Sequence, residues 1–577
     1  LRTIVESSLL GKTWVESVEN RIQSAENDIV KNILFARGIT DPVDINNFLN
    51  PAIRDIMPDP SMLKDMDRAV AIVADAVLSG KKIAVFGDYD VDGITSTSIV
   101  LKYLKSLGAD PLWHLPSRES EGYGLNIAAI EDLAARGAKV IVTVDCGISG
   151  MAEVEHAKKM GLSVVITDHH SPDKKIPDAD AVINPKRADD DSGLDYLAGV
   201  GVAFMFLVAL NRALREAGQE TKANLLEYMD LVALGTICDM MPLIRLNRAF
   251  VATGLKVMEA RKNVGLSALM HVAGAKRAST YAASFVLGPR INAAGRLDSA
   301  NPGLELLLTD NHGTAGLLAQ QLNDMNKERM DIQNSIMMNA IELAEKSCKS
   351  GKRCLFIVGD NWHKGVIGII AGRLKDKFCM PVCVATKCGQ VIDGSGRSVP
   401  GVDLGAIIHD AVRAGILTDG GGHVAAAGFG LTVDRESDFC EFFEKSVRDQ
   451  MGGKIPRSEI IVDVELDAGG ADMKLVHEMS AMEPFGQGNP EPILVVHGGE
   501  LAYTTTMGGG QHLRGSVRTS AGTVLNFVGF NLAMTPVGEF LLDEANIGRK
   551  IQLCGRLQAN EYNGRTSAQF IIEDMAI

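Results

Sequence analysis

Ser163-Val164-Val165-Ile166-Thr167, followed at once by Asp168-His169-His170, is the stretch that decides how this chain folds. The apolar run reads as a parallel strand buried on both faces. Other strand-like runs end in acids the same way. Lys82 to Gly87 leads into Asp88, Asp90 and Asp92, Lys139 to Val144 into Asp145, and Leu231 to Cys238 into Asp239. In an open α/β sheet, ligands bind outside the carboxyl ends of the strands, so these clusters are expected to converge on one rim. Carboxylate and imidazole donors together suit hard or borderline divalent ions such as Mn²⁺ and Mg²⁺, whereas thiolates would have suggested zinc or an iron–sulfur cluster. The rim is therefore read as a metal centre.

The 577 residues, 46% of them hydrophobic, exceed what one core organises; the usual domain length implies roughly three to four domains. The longest apolar stretch, Leu197 to Leu210, falls short of the ~20 residues of a membrane helix, and no charged-then-apolar leader opens the chain. A soluble cytoplasmic protein without membrane contact is expected. Nine cysteines without paired ligand spacing, Cys379 and Cys383 among them in an apolar run, read as reduced core residues. The net charge of −14 opposes a polyanionic partner, yet Arg245 to Ala300 holds nine Lys and Arg against only Glu259 and Asp298. That segment is either a local anion site or a set of solvated helix faces.

Residues 1–60 carry helical patterning and no chemical motif, and read as a helical cap. From 61 to 310 strands alternate with helices and then give way to helices, the pattern of a doubly wound parallel sheet. Residues 311–350 form a long periodic stretch without proline, read as a connecting helix between two facing α/β lobes. Residues 351–454 begin a second α/β lobe. Residues 455–577 turn to short alternating strands, with Asn563-Gly564 as a hairpin turn, and read as a small β-barrel of the OB-fold kind, which binds oligonucleotides.

Gly87-Asp88-Tyr89-Asp90-Val91-Asp92-Gly93 sets three carboxylates at alternate positions after a strand. One of them alone could simply cap the following helix. Three repel one another unless a cation compensates. Asp145 and Asp239, each taken singly, could be turn residues, and His169 a satisfied core histidine; the set is more specific than its members.

Several motifs together resemble the DHH phosphoesterase family, and within it the branch that degrades single-stranded DNA in the 5′→3′ direction. They are the Asp88 to Gly93 motif, Val144-Asp145-Cys146-Gly147, Thr167-Asp168-His169-His170, Ala233 to Asp239, and Leu287 to Arg296. Gly394-Ser395-Gly396-Arg397-Ser398, Gly421-Gly422-His423 with Ala426-Ala427-Gly428, and Pro484-Phe485-Gly486-Gln487-Gly488-Asn489-Pro490-Glu491-Pro492 complete the set. The resemblance spans nearly the whole chain and implies two lobes, a DHH domain and a DHH-associated domain. It implies two Mn²⁺ or Mg²⁺ ions. Asp92, Asp145, His169 and Asp239 would hold one, and Asp90 with bridging Asp145 the other, with His170 beside them. Phe86 stands where many DHH enzymes have a ligating histidine, so Asp88, water or substrate would substitute there. Arg118, Ser395 and Arg397 would take a 5′-phosphate, Tyr123 the terminal base, Arg290, Asn292 and Arg296 the strand's path, and His423 a phosphate or the lobe contact.

The implied activity is a two-metal exonuclease that releases 5′-mononucleotides in recombination and repair, a monomer working beside a single-strand-binding protein and a helicase. Two alternatives are a DHH hydrolase of short substrates, such as a nanoRNA or cyclic dinucleotide, and an inactive single-strand-binding scaffold. The barrel and the long connector disfavour the first, and the retained acids and histidines disfavour the second.

Overall fold

The computed structural model describes residues 2–16, 28–118, 120–297, 299–348, 352–452, 459–519, 522–562 and 564–577. Asp298, Ser350, Asn563 and the expected boundary at 454/455 lie outside them.

Five parallel strands form the first sheet, in the order Leu112–His114, Ile83–Phe86, Val140–Val144, Ser163–Thr167, Ala181–Ile183. In chain order this is 2-1-3-4-5, so the winding reverses between the strands ending at Phe86 and Val144, and the crevice of a doubly wound fold opens there. Alternate side chains of these strands enter two cores. Val85, Val142, Val144 and Val165 face a large helical core that includes Val91–Ser106, Gly199–Glu216 and Met229–Cys238. Ala84, Phe86, Ile141 and Ile166 face Ile127–Ala135 and Met151–Lys159. Burial on both faces explains why these strands are continuously apolar.

The run before Asp239, read as strand-like, is a helix, Met229–Cys238. Every residue from Met229 to Ile237 is buried, so the helix has no polar face and no 3.6-residue period to betray it. Asp239 thus reaches the rim from a helix C-terminus.

His312–Cys348 is a single 37-residue helix. Its buried seam, from Ala315 through Asn326, Arg329 and Gln333 to Ala344, packs on Val264–Val272 and Gly288–Leu297 of the first lobe, then on Lys364–Phe378 and Leu355–Asp360 of the second. The second lobe's sheet is mixed, in the order Asp419–His423, Ala426–Thr432, Val391–Arg397, Val382–Cys388, Leu355–Asp360, with only the last pair parallel. Cys383 is buried in it, but Cys379 is exposed in a left-handed cap after Phe378, where the helix must turn, and is not a core residue. At the C-terminus, Leu494–Met507, His512–Thr519, Val524–Gly529, Arg565–Ala576 and Lys550–Tyr562 pair in sequence, and the last pairs back to the first. This is a closed five-stranded barrel.

The N-terminal cap is not wholly helical. Ile29–Ala36, Pro42–Leu49 and Ile53–Ile56 are helices, but Thr3–Val5 and Thr13–Glu16 are strands, and the latter pairs in parallel with Glu459–Val462. Trp14 is fully buried and donates its indole N–H to Asp574 at 3.0 Å. A partner so remote in the chain leaves no local periodicity.

Helices Met229–Cys238 and Arg245–Glu259 approach closely at Gly254, where a Cβ would collide with the Met229 carbonyl and the Ala233 methyl. Gly254→Ala should lower the unfolding free energy by about 1–3 kcal/mol or more. An unchanged urea midpoint would show that the two helices are not packed this tightly.

Candidate metal centre

Asp90 caps the helix Val91–Ser106, one of its oxygens accepting from the amides of Asp92 (2.9 Å) and Gly93 (3.1 Å). The modest capping reading therefore holds for one oxygen of one acid. Asp92, in the helix's first turn and buried, accepts the amides of Gly199 at 2.7 Å and Val200 at 2.9 Å, which lock its carboxylate in place. Asp145 follows its strand with φ of 60°, a left-handed conformation that costs a non-glycine residue energy and concentrates at functional sites.

His169 is the hub. Its Nδ1 lies 3.1 Å from the Leu197 carbonyl, which can only accept, so the proton sits on Nδ1 and the lone pair on Nε2. That Nε2 lies 3.1 Å from Asp145, 3.5 Å from Asp239 and 3.8 Å from Asp92. Burial first, then the charge of His170, pushes its pKa down to about 3, so it stands neutral as a ligand requires. His170 behaves oppositely. Burial resists its charge, but the 2.8 Å hydrogen bond to Asp168 and that carboxylate's charge outweigh burial and raise it to about 9. Asp168 also accepts the amides of Ile148, His169 and His170. It organises the loop rather than facing the cluster, a role that its place in the motif does not announce.

Among the described residues three overlapping donor groups result. Asp92, His169 and Asp239 form one, Asp88, Asp90 and Asp145 a second, and Asp145, His169 and His170 a third; in each, the candidate ligand atoms lie within 4.8 Å of one another. Phe86 is fully buried in the sheet and contributes nothing, while Asp88 stands in the second group. Burial and then neighbouring carboxylates raise Asp92 to about 7 and Asp239 to about 8, and push Asp88 and Asp145 well up. Among the described residues, Asp88 Oδ1, Asp145 Oδ1, Asp239 Oδ2 and His169 Nε2 are buried without a hydrogen-bond partner. Unpartnered acceptors of one sign in one pocket are what a divalent cation satisfies, and an oxygen-rich set with one imidazole fits Mn²⁺ or Mg²⁺.

Next to this cluster, Tyr123 bonds His170 through its hydroxyl at 2.9 Å, its exposed ring edge-on to the imidazole. Arg118 lies over the Tyr89 ring at 5.4 Å. Arg397, from the second lobe, donates to Ser395 at 3.2 Å, and burial and then the nearby Arg118 lower its pKa. Arg296 is brought down to about 10 by burial, then by Arg118 and Arg329. Its guanidinium crosses to the second lobe, donating to the Gly365 carbonyl at 2.9 Å. Arg118, Arg296, Ser395 and Arg397 thus gather between the lobes, and crowded cations of this kind are relieved by a bound anion. Arg290 is tied to Asn323 and the Val286 carbonyl, and Asn292 is half-buried on the same helix, Gly288–Leu297. His423 is exposed on the edge strand Asp419–His423. Residue types could not reveal the Leu197 carbonyl or the Gly199 and Val200 amides, because backbone groups leave no trace in them. Arg329, buried on the connecting helix among Asn326 and Gln333, was also not singled out by its sequence context.

Comparison with known proteins agrees with this layout. Residues 82–236 match the DHH family N-terminal domain, 351–449 the DHHA1 domain and 462–574 the RecJ OB domain. The chain is 35% identical over 564 residues to the single-stranded-DNA-specific exonuclease RecJ of Escherichia coli strain K12, covering 95% of each. The crystal structure of RecJ from Thermus thermophilus in complex with Mn²⁺ superposes with a TM-score of 0.78 at 28% identity, over 95% of this chain and 75% of that one. The Mg²⁺ complex of RecJ from the same organism gives 0.70 at 27% identity, over 95% and 74%.

The raised carboxyls set a pH dependence. Asp92 and Asp239 keep protons in the folded, metal-free chain that they lose near pH 3.8 when unfolded, and His170 keeps its own to about pH 9. The folded state therefore binds more protons, and metal-free stability falls as pH rises from about 6.5 to about 8. Chelator-treated protein should melt lower at the upper pH, and Mn²⁺, displacing those protons, should narrow the gap. A metal-free melting temperature that rises across this window would refute the assignment.

Proposed function

Since the chain belongs to the RecJ family of metal-dependent exonucleases within the DHH phosphoesterases, we propose that it hydrolyses single-stranded DNA from the 5′ end with two divalent cations, releasing 5′-mononucleotides. The convergence of four orphaned, buried ligand atoms at the sheet's switch point, beside a cationic pocket made by both lobes, is the observation that carries this reading.

Asp92, His169 and Asp239 would hold one ion and Asp88 and Asp90 the other, with Asp145 shared. Two such ions would activate water at neutral pH and stabilise both the attacking and the leaving oxygen of an in-line displacement. The chain's own residues do the rest. The Leu197 carbonyl keeps the His169 lone pair pointed inward, and the Gly199 and Val200 amides keep Asp92 from swinging. His170, held cationic by Asp168, has its Nε2–H free to donate to a phosphate oxygen. Arg118, Arg397 and Ser395 anchor the terminal 5′-phosphate, which fixes how far the chain enters and hence the polarity. Tyr123 meets the terminal base, while Arg290, Asn292 and Arg296 line the strand behind it. His423, exposed at the sheet edge, is kept for a more distant phosphate.

We assign residues 61–310 as the catalytic domain, 311–350 as the connector, 351–454 as the substrate-binding lobe and 455–577 as the barrel that holds downstream DNA by charge and stacking. Residues 1–60 brace the first and last of these. A monomer acting in the cytoplasm on strands opened by a helicase and covered by a single-strand-binding protein, in recombination and repair, fits this division.

Digestion of 5′-labelled and 3′-labelled single strands and of blunt duplex tests the reading. Mn²⁺-dependent release of labelled mononucleotide from the 5′ label first, with the duplex spared, is expected. Arg397→Ala should selectively lose the preference for a phosphorylated 5′ end. Release from the 3′ label first, or equal loss by the variant on phosphorylated and unphosphorylated strands, would contradict the proposal.

A further inference from the structure

The motif from Pro484 to Pro492 takes no part in the chemistry above, yet it is densely hydrogen-bonded. Arg248, only 1% exposed, gives its guanidinium, among the described residues, to carbonyls alone: Phe48 at 2.7 Å, Glu483 at 2.8 Å, Met482 at 2.9 Å and Pro484 at 3.2 Å. It also stacks on the Phe48 ring at 3.8 Å. A buried cation with no carboxylate partner persists only where dipoles are fixed around it. Asn489, fully buried, donates to the Met482 and Pro484 carbonyls and accepts from Arg37 at 2.7 Å. The backbones of Gly486 and Asn489 bond each other at 2.8 and 3.1 Å. The loop is thereby a stiff plug.

That plug sits against the segment that follows Asp239. The Leu243 amide donates to the Gln487 carbonyl at 2.7 Å, Gly486 faces the Leu243 side chain, and Gly488, at φ of 72°, lies against Pro242. Asn247 then donates to the carbonyls of Pro242 at 3.1 Å and Tyr196 at 2.6 Å. Tyr196 directly precedes Leu197, whose carbonyl orients His169. Asp239 itself ends its helix, and Met240 follows in the left-handed region at φ of 58°; the amides of Met240 and Met241 still bond the helix carbonyls of Ile237 at 3.2 Å and Thr236 at 3.3 Å, and beyond them the Leu243 amide is held by the loop.

We propose that the Met482–Pro490 loop, clamped by Arg248 and Asn489, positions the metal ligands Asp239 and His169 through Pro242, Leu243 and Asn247. The C-terminal region then completes the metal centre as well as holding substrate. Arg248, Asn489 and Asn247 are positioning residues, since none touches the ligand cluster. The inference rests on the two-cation reading and extends it.

Mn²⁺ titration of the full chain by calorimetry and by the spin-resonance signal of bound Mn²⁺ tests it, with Asn489→Ala and the milder Gly488→Ala, whose added methyl presses on Pro242. The weaker of the two Mn²⁺ ions should bind about tenfold less tightly or worse, in line with the loss of groups that support ligands. Cleavage should fall at limiting Mn²⁺ and recover at saturating Mn²⁺. Phe443→Leu, in the second lobe's core, serves as a control for general destabilisation and should leave the titration unchanged. Gly488→Ala keeps the test decisive if Asn489→Ala does not fold. A folded variant that titrates like the parent, or a control that shifts as much as the variants, overturns the positioning role. A parent chain that binds no Mn²⁺ would instead overturn the two-cation reading itself.

Discussion

Mutual repulsion among buried carboxylates is the constraint on which the rest of this molecule depends. Two such charges about 4 Å apart oppose each other by about 4 kcal/mol at the effective dielectric of a protein surface, and Asp88, Asp92 and Asp145 are almost wholly withdrawn from water. Apolar packing above and below the parallel sheet supplies the stability that holds them there. The fold answers the repulsion in part with protons on Asp92 and Asp239. Divalent cations held there, as proposed, would answer it more fully.

A second constraint acts on the substrate side. Arg118 and Arg296 come from the first lobe and Arg397 from the second, so the cationic pocket exists only when the lobes face each other at a fixed separation. The 37-residue helix provides that rigidity, its seam packing on the first lobe and then on the second. Cations and anions thus lie on neighbouring surfaces of one cleft, which suits a ligand whose end is negatively charged and whose first ester linkage must reach the acids.

Much of this was legible in the residues. Strands at Ile83–Phe86, Val140–Val144 and Ser163–Thr167 announced themselves as apolar runs closed by acids, and the convergence of Asp92, Asp145 and His169 followed from parallel winding. Asp239 was expected at the rim and lies there, but at the end of a helix rather than a strand, because a helix buried all round carries no period. Thr13–Glu16 was missed as a strand because its partner lies at the other end of the chain, and the strands Glu459–Val462 and Val464–Asp467, separated only by Asp463, join two different sheets. The orienting carbonyl of Leu197, the amides on Asp92 and the carbonyl cage of Arg248 are products of tertiary packing. His423, by contrast, belongs to a glycine-rich motif that the fold leaves at an exposed edge.

Anomalous diffraction from crystals of the full chain grown with Mn²⁺ bears most directly on the central claim. Two peaks are expected, one among Asp92, His169 and Asp239, the other among Asp88 and Asp90, with Asp145 between them. A single peak elsewhere, or an ordered cluster whose acids remain ion-free at saturating Mn²⁺, would contradict it.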